Sequence, residues 1–460
     1  MMVNGSLLRR APALRAAMLA GCMAAAAALS VSAGAFAQPG AATSEAHGHK
    51  AVQPDDIMSL TDAVDTEISP DGRHVLYVTQ PTIATSRPSR SEIWIVAADG
   101  KSPARRLTKA SMLDGSPQWS PDGRTIAFLS KRAEAVAPGA PKVGPSPIPA
   151  GSDQSDSTGK LPTDSAARPA SSRQLWLISA DGSGERRLTS LPRDVSRFRW
   201  SPDSQSIAFL APDGPPANAQ KDRSAQGEGI VADAPRDLSR IWIIDLRARD
   251  IRRLAVADRD VTDLSWSPDG RRLAVRAAPT TGLNDLFYHS ELLILDVASG
   301  AVERKLFDRV FSTASWSPDG SQVAFTAPGE GTIGIRAFVA DVEKGAAREL
   351  GTTLDGTIRQ LEWSRDSRRL VARVVVRSRD VLFSADAATG VFRPFVEFGG
   401  RIGAFAEADD GSIAIAGSQP DRAADIWVYR GGELRRLTEL NPQMREWGLG
   451  KVEEISWTSS

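Results

Sequence analysis

Trp119-Ser120-Pro121-Asp122-Gly123 is the stretch that decides the fold, because it recurs along the chain. The other copies, some exact and some altered or shortened, are residues 69–72, 200–204, 266–270, 316–320, 363–367 and 409–411. An internal repeat at this spacing indicates an architecture in which one supersecondary unit is used several times.

Each copy has the composition of a tight turn. Pro sets φ at the second position, Asp is tolerated at the third, and Gly supplies a positive φ at the fourth, which predicts a type I turn leading into a bulge. The Trp before the turn ends a strand and offers a large apolar surface for packing.

Short apolar strands surround every turn. In the second unit, residues 126–129 follow the turn, residues 175–178 form a third strand, and Arg186-Arg187-Leu188 ends a fourth. Seven such units predict an all-β fold, a seven-bladed β-propeller of four-stranded antiparallel blades. A β-sandwich with accidental similarity is the alternative, and seven registered copies argue against it. The last blade supplies its own four strands, so we expect packing alone to close the ring.

Two blades carry long insertions, at residues 133–170 and 213–237. Both are rich in small and polar residues, which predicts disordered loops between the second and third strands of their blades. In an up-and-down blade such loops leave on the face of the blade-to-blade connections. They either gate a central channel or are tolerated surface padding, and padding is the simpler interpretation.

The first 37 residues have the features of a secretory signal peptide. Three arginines precede an apolar run over residues 16–36, and Ala35-Phe36-Ala37 fits the small-x-small cleavage rule. We predict cleavage before Gln38 and an exported protein, periplasmic or secreted, without a membrane attachment. The alternatives are a lipoprotein signal at Cys22, which the continuing apolar run disfavours, and a retained membrane anchor.

The signal also holds the single cysteine, so the mature chain would have no disulfide and no thiolate metal site. Its removal leaves 53 Lys and Arg against 56 Asp and Glu, a net charge of −3. This charge does not favour a nucleic-acid partner, which requires a basic face.

No catalytic, cofactor-binding or metal-ligating residue is predicted. Gly-x-Ser-x-Gly is absent, and the nearest string, around Ser102, lacks the closing glycine. Residues 329–334 match a dinucleotide fingerprint by letter but lead into a strand rather than a helix. The turn aspartates lie one per blade and cannot converge on one ion. No nucleophile is expected beside any of the histidines after the signal, which are His47, His49, His74 and His289.

The two ends of the repeat region add a resemblance. Residues 54–60 (Pro-Asp-Asp-Ile-Met-Ser-Leu), residues 437–443 (Leu-Thr-Glu-Leu-Asn-Pro-Gln) and residues 450–457 are similar to the segments that flank the propeller in serine peptidases of the prolyl oligopeptidase family. The resemblance is strongest to the bacterial dipeptidyl and acylaminoacyl branches. The predicted signal occupies 1–37, an extension 38–60 and the propeller 61–440, and the resemblance implies that 441–460 is the start of a linker to a catalytic domain absent from this sequence.

In that family an α/β-hydrolase domain holds a Ser-Asp-His triad, and the propeller shields it and admits short peptides. The resemblance therefore implies a non-catalytic propeller that works with a hydrolase domain in cis or in trans, without a cofactor. The alternative is a stand-alone TolB-like periplasmic propeller that mediates protein–protein interactions. Such scaffolds carry an extra domain before the propeller, and the roughly 25–30 residues between Gln38 and the first blade are too few for one.

Overall fold

The computed structural model describes most of the chain from Lys50 onward. The described residues are 50–82, 90–108, 113–132, 172–213, 237–254, 256, 258–312, 314–329, 334–455 and 457–458. The predicted signal peptide and, apart from Asp213 and Asp237, both predicted insertions lie outside these residues.

Seven sheets form the fold, each with four antiparallel strands in chain order, as the sequence predicted. The first four blades are β1 (Thr61–Ile68), β2 (His74–Pro81), β3 (Glu92–Ala97), β4 (Arg105–Arg106); β5 (Gly115–Trp119), β6 (Thr125–Ser130), β7 (Gln174–Ser179), β8 (Arg186–Arg187); β9 (Arg197–Trp200), β10 (Ser206–Pro212), β11 (Ser239–Asp245), β12 (Ile251–Arg253); and β13 (Asp260–Trp266), β14 (Arg272–Ala278), β15 (Glu291–Asp296), β16 (Val302–Asp308). The last three are β17 (Ser315–Trp316), β18 (Gln322–Pro328), β19 (Ile335–Asp341), β20 (Ala347–Leu350); β21 (Thr357–Trp363), β22 (Arg369–Val376), β23 (Arg379–Asp386), β24 (Phe392–Glu397); and β25 (Arg401–Glu407), β26 (Ile413–Gln419), β27 (Arg422–Arg430), β28 (Glu433–Arg436).

Among the described residues, three short helices accompany the strands. They are α1 (Pro54–Met58) before the first blade, α2 (Leu283–Tyr288) between β14 and β15, and a 3₁₀ helix (Pro442–Glu446) after the last strand. Within the described part of the chain, no helix has the length and apolar character needed to cross a bilayer.

The repeated turns have the predicted conformation. Gly123 has φ +69°, and its N–H donates to the carbonyl of Ser120 at 2.8 Å, which closes the turn. Ser204 and Ser367 replace the glycine in two blades and adopt φ of +60° and +54°. The Ser120 hydroxyl donates to Asp122 at 2.6 Å and accepts the N–H of Thr125 at 3.0 Å, so the turn is fixed from both sides.

The repeated tryptophans end the first strands and connect neighbouring blades. The indole N–H of Trp200 donates to the carbonyl of Gln118 in the preceding blade at 3.3 Å. Trp266 reaches the carbonyl of Arg199 at 3.2 Å in the same way. Each indole therefore packs towards the previous blade, and the residue before the Trp faces the other way.

Apolar clusters fill the junctions between blades, one at each of the seven junctions. Burial of these side chains is the main favourable contribution to folding, because each blade leaves both faces of its sheet apolar. The junction between blades 7 and 1 is different, since six of the twelve buried residues in its cluster are alanines.

The ring closes without a shared strand, because blades 1 and 7 are each formed by a continuous segment. The expectation that packing alone closes it is nevertheless wrong. Asn441, which follows blade 7, accepts a hydrogen bond from the N–H of Thr61 at 2.9 Å and donates to its carbonyl at 2.7 Å. Arg435 of blade 7 donates to the carbonyl of Ala98 in blade 1 at 2.9 Å. These polar contacts supplement the alanine-rich cluster.

The strand order gives the propeller two different faces. We call the face with the repeated turns the turn face, and the opposite face, with the blade-to-blade connections and the loops between second and third strands, the connection face. Both predicted insertions fall between second and third strands, as expected, and therefore begin and end on the connection face. The described part of the chain begins there, where the N–H of Lys50 donates to the carbonyl of Glu446, a residue that follows the last blade, at 2.7 Å.

Candidate functional site in the axial channel

The first strands of the blades form the inner wall of the ring. Strand β1 packs on β5 and β25, and β13 packs on β9 and β17, so first strands contact the first strands of their neighbours. Fourth strands such as β4 and β16 lie mostly exposed at the periphery. The side chains of the first strands are therefore the ones that border the axial channel.

Five inner strands carry a β-bulge a few residues before the turn. A bulge bends its strand and redirects the side chains that follow it. The register shifts lie between residues 63 and 65, 115 and 118, 261 and 263, 358 and 360, and 402 and 404.

Two rings of side chains follow the bulges, and their members share a fixed distance from the Trp position. The turn-side ring, one residue before it, consists of Glu67, Gln118, Arg199, Ser265, Ser315, Glu362 and Ala406. The connection-side ring, three residues before it, includes the described residues Asp65, Ser116, Arg197, Asp263, Gln360 and Ala404. The charges in these rings are unevenly distributed around the axis.

Carboxyl groups collect on blades 1 and 6, where Asp65, Glu67 and Glu362 form what we call the acidic wall. Burial raises the pKa of Glu67 to about 8, and repulsion from Glu362 and Asp65 adds to this, while Arg199 opposes it. Burial likewise raises the pKa of Asp65 to about 6, although the hydrogen bond from the Thr66 N–H and the charge of Arg199 both lower it. Blades 1, 3 and 6 are not neighbours, so Arg199 of blade 3 acts on these groups across the axis.

Arginines collect on the opposite side, in blades 3 and 4. Arg197 lies 3.4 Å and Arg199 3.8 Å from the carboxylate oxygens of Asp263. Arg276 interacts with the same carboxylate, and burial lowers its pKa. We call Arg197, Arg199 and Arg276 the basic wall. Three guanidinium groups around one carboxylate leave this side of the channel with an excess of positive charge.

A cleft of about 430 Å³ opens beside the basic wall. Residues from the first strands of blades 2, 3 and 4 line it, which places it at the connection-face mouth of the channel. Its polar lining includes Ser116, Arg197, Arg199, Ser239 and Asp260.

Two further cavities flank the ring. A cleft of about 470 Å³ between blades 1 and 2 shares Ser116 with the first and contains Asp65, Lys131 and Arg173. A larger cavity of about 600 Å³ lies on the turn face between blades 3 and 4, lined by turn residues such as Asp203 and Asp269. These aspartates already accept hydrogen bonds within their own turns, so the larger cavity has fewer polar groups available to a ligand than the channel mouth has.

The residues weighed from sequence lie apart from the channel. The aspartates Asp71, Asp122, Asp203, Asp269 and Asp319 bond the Ser hydroxyls of their own turns. Among the residues that the structure describes, no three His, Cys, Asp or Glu side chains are placed to hold a metal ion.

The two described histidines lie on different blades. His289 is 2.8 Å from the carboxylate of Asp285, and the Thr280 hydroxyl donates to the same carboxylate at 2.5 Å. Asp285 therefore lies between the histidine and the hydroxyl. In a catalytic triad the histidine lies between the acid and the hydroxyl, so this group does not have that arrangement. His74 is 6.4 Å from the Trp119 ring, centroid to centroid. The string at 329–334 lies mostly outside the described residues, and His47 and His49 lie wholly outside them.

Sequence reasoning missed the two walls of the channel. A signal was present, because Glu67, Arg199 and Glu362 each stand directly before the residue that ends a first strand. A charged side chain is uncommon on the inner strand of a blade, where most neighbouring residues are buried, so each of these residues is a candidate for function.

The comparisons with known proteins fit this architecture. No protein-family model matches the chain. It is 23% identical over 376 residues to dipeptidyl-peptidase 5 of Porphyromonas gingivalis, covering 75% of this chain and 49% of that protein. It is 25% identical over 247 residues to the uncharacterized peptidase YuxL of Bacillus subtilis, covering 50% of this chain and 31% of that protein. The chain thus spans about a third to a half of the length of these curated relatives.

Solved structures give the same fold. The propeller domain of the trilobed protease from Pyrococcus furiosus, described as having an open velcro topology, matches with a TM-score of 0.57 at 14% identity, over 83% of this chain and 99% of that one. The acylaminoacyl peptidase of Pyrococcus horikoshii matches with a TM-score of 0.60 at 15% identity, over 86% of this chain and 55% of that one. The chain is a seven-bladed β-propeller that resembles the propeller domains of prolyl oligopeptidase-family peptidases and is homologous to proteins named as peptidases.

Proposed function

We propose that this propeller is the substrate-access and shielding part of an exported serine peptidase that acts on short peptides. Catalysis would come from an α/β-hydrolase domain, in cis or in trans, because the chain itself carries no nucleophile elbow. The observation that carries the proposal is the sequence similarity to peptidases, which extends over three quarters of the chain in one relative.

The geometry of the ring supports an access role. Its channel is bordered by charged and polar side chains, which suit the amide groups and charged termini of a peptide better than they suit an apolar ligand. Lys50, where the described part of the chain begins, pairs with Trp447, which follows the last blade, on the connection face. A hydrolase domain that follows this last segment would therefore lie near the connection-face mouth of the channel.

Labelling of the purified chain with a fluorophosphonate tests the absence of a catalytic serine. We expect no labelled residue, while a serine peptidase with its own triad is labelled under the same conditions. Labelling of a serine in the folded chain that is lost when the chain is denatured would overturn the proposal. Sequencing the reading frame beyond the codon for Ser460 is a second test, and we expect Gly-x-Ser-x-Gly followed by Asp and His.

Export is tested separately by the N-terminus of the mature protein. When the full reading frame is expressed in a bacterium, we expect the periplasmic or secreted form to begin at Gln38. A cytosolic product that retains Met1 would contradict export and leave the access role to the labelling and binding experiments.

A further inference from the structure

Arg197 is an exposed cation at the channel mouth. Its side chain is 52% exposed, and among the described residues its ion-pair partner is Asp263, at 3.4 Å. Arg199 is 32% exposed, and its guanidinium lies 3.8 Å from a carboxylate oxygen of the same Asp263. Two guanidinium groups on one strand, separated by one residue, can form a fork for an anion while sharing the single carboxylate behind them.

The cleft beside this pair supplies further donors. The hydroxyls of Ser116 and Ser239 line it and make no side-chain hydrogen bond to another described residue. Asp260, the other acid of the cleft, is buried and accepts the N–H of Ser239 at 2.8 Å, so it is already engaged. Ser116 also has a φ of +50°, a conformation that costs free energy in a non-glycine residue and tends to persist at functional sites.

The acidic wall lies across the channel from these donors. Glu67 makes no hydrogen bond or ion pair to any residue in the described ranges, so its carboxyl group is free to meet a ligand. A short peptide with free termini carries a carboxylate at one end and an ammonium group at the other. Such a zwitterion can lie across the channel with its carboxylate facing the arginines and its ammonium group facing the acidic wall. At neutral pH the charge on that wall comes chiefly from Asp65, whose pKa is about 6, because Glu67, with a pKa of about 8, is mostly protonated until a cation approaches it.

We propose that Arg197 and Arg199, with the Ser116 hydroxyl, bind the C-terminal carboxylate of a short peptide at the connection-face mouth of the channel. This inference rests on the proposed access function and specifies its substrates as peptides with a free C-terminus. The acidic wall then holds the amino-terminal end of the same peptide, which fixes its direction in the channel.

Calorimetric binding of three tripeptides to the purified full chain tests the proposal. The probes are Ala-Ala-Ala, its C-terminal amide, and amidated Ala-Asp-Ala, which carries its carboxylate on a side chain. We expect the free acid to bind about tenfold or more tightly than either amide, because a carboxylate held by two guanidinium groups makes charge-assisted hydrogen bonds. Equal binding of amidated Ala-Asp-Ala would place a side-chain carboxylate in the site and overturn the assignment to the C-terminus.

Arg197→Gln should reduce the ratio of acid to amide affinity to about 1, and Arg197→Lys should leave an intermediate ratio, because Lys keeps the charge but not the planar fork. Arg124→Gln, on an exposed turn-face residue, is the matched control and should leave the ratio unchanged. Thermal melting of each variant checks that it is folded. An unchanged ratio in folded Arg197→Gln would overturn the carboxylate site.

The outcomes separate the two proposals. If acid and amide bind equally well to the wild-type chain, the carboxylate site is wrong and peptide access stands. If no tripeptide binds, both proposals fail. Displacement of Ala-Ala-Ala by an equal concentration of inorganic phosphate would show a general anion site and overturn the peptide-specific one.

Discussion

The turn face and the channel are built from the same seven first strands, yet they follow opposite rules. On the turn face, blades 1 to 5 repeat one hydrogen bond, from the Ser hydroxyl to the turn Asp, at 2.5–2.6 Å. One residue before the Trp position, the seven blades carry Glu, Gln, Arg, Ser, Ser, Glu and Ala. The turn residues repeat because every blade needs the same turn in order to fold. The residue before the Trp position varies because it borders the channel, where each blade contributes a different side chain.

Blade 7 connects the two regions. Glu407 stands at the position of the repeated Trp, and its carboxylate accepts hydrogen bonds from Ser364 at 3.0 Å and Arg369 at 2.9 Å in blade 6. Ser364 therefore does not bond the Asp of its own turn, as the serines of blades 1 to 5 do. Burial raises the pKa of Glu362 in the channel, and repulsion from Glu407 adds to this, while a hydrogen bond from Gln360 opposes it. One departure from the turn pattern thus adds a charge to the acidic side of the ring.

The largest effect should come from a repeated residue. Trp200→Ala removes a side chain that is 8% exposed and packed in the junction between blades 2 and 3. We expect a loss of about 3–5 kcal/mol in the free energy of unfolding, measured by urea denaturation, because the substitution leaves a cavity. Trp457→Ala is the control, since Trp457 is 81% exposed, and it should be close to neutral. A similar loss of stability in Trp200→Ala and Trp457→Ala would mean that the blade junctions contribute no more to stability than the exposed surface does.

The channel should behave in the opposite sense, because an unpartnered buried carboxyl group opposes folding. Glu67 has a folded pKa of about 8 against an ordinary value of 4.5, so between these pH values the folded state binds more protons than the unfolded state. Its contribution to stability therefore decreases as the pH rises through this window and stays low above it.

Glu67→Gln removes this penalty. We expect the variant to be more stable than the wild type by about 1–3 kcal/mol at pH 8.5 and to differ little at pH 4, measured by urea denaturation at both pH values. Glu433→Gln, at an exposed position of strand β28, is the matched control for the loss of a surface carboxylate. A destabilised Glu67→Gln at pH 8.5 would mean that the carboxylate has a structural partner in the ring.

The same contrast explains how far the sequence could be interpreted. Turn chemistry is local, so Pro121, Asp122 and Gly123 predict their own conformation, and the Trp before them ends its strand as expected. The bulges depend on pairing between strands, and the two walls depend on ring closure, which brings Glu67 and Arg199 within electrostatic reach although 132 positions separate them. Nothing local to either residue encodes that distance.

A smaller effect is expected when one turn loses its hydroxyl. Ser120 donates to Asp122 and accepts the N–H of Thr125, so Ser120→Ala leaves that N–H without its partner. We expect a loss of about 1 kcal/mol in the free energy of unfolding. Ser102→Ala, on an exposed loop, is the control. A loss as large as that of Trp200→Ala would mean that the turns, and not the blade junctions, determine stability.

The smallest effect should come from giving blade 7 the residue that the other turns share. Ala408 occupies the Ser position of its turn, where Gly411 still donates to the Ala408 carbonyl at 3.0 Å and the N–H of Ser412 donates to Asp410 at 2.9 Å. Ala408→Ser places a hydroxyl near Asp410, and we expect a gain of about 0.5 kcal/mol, the low end for a hydrogen bond at a partly exposed site. Denaturation of the variant alone and combined with Ser120→Ala measures it. The two effects should add, because they lie in separate blades. A loss instead of a gain would show that the alanine-rich packing between blades 7 and 1 requires Ala408. In that case the packing that closes the ring, and not the chemistry of the turn, determines the residue at this position.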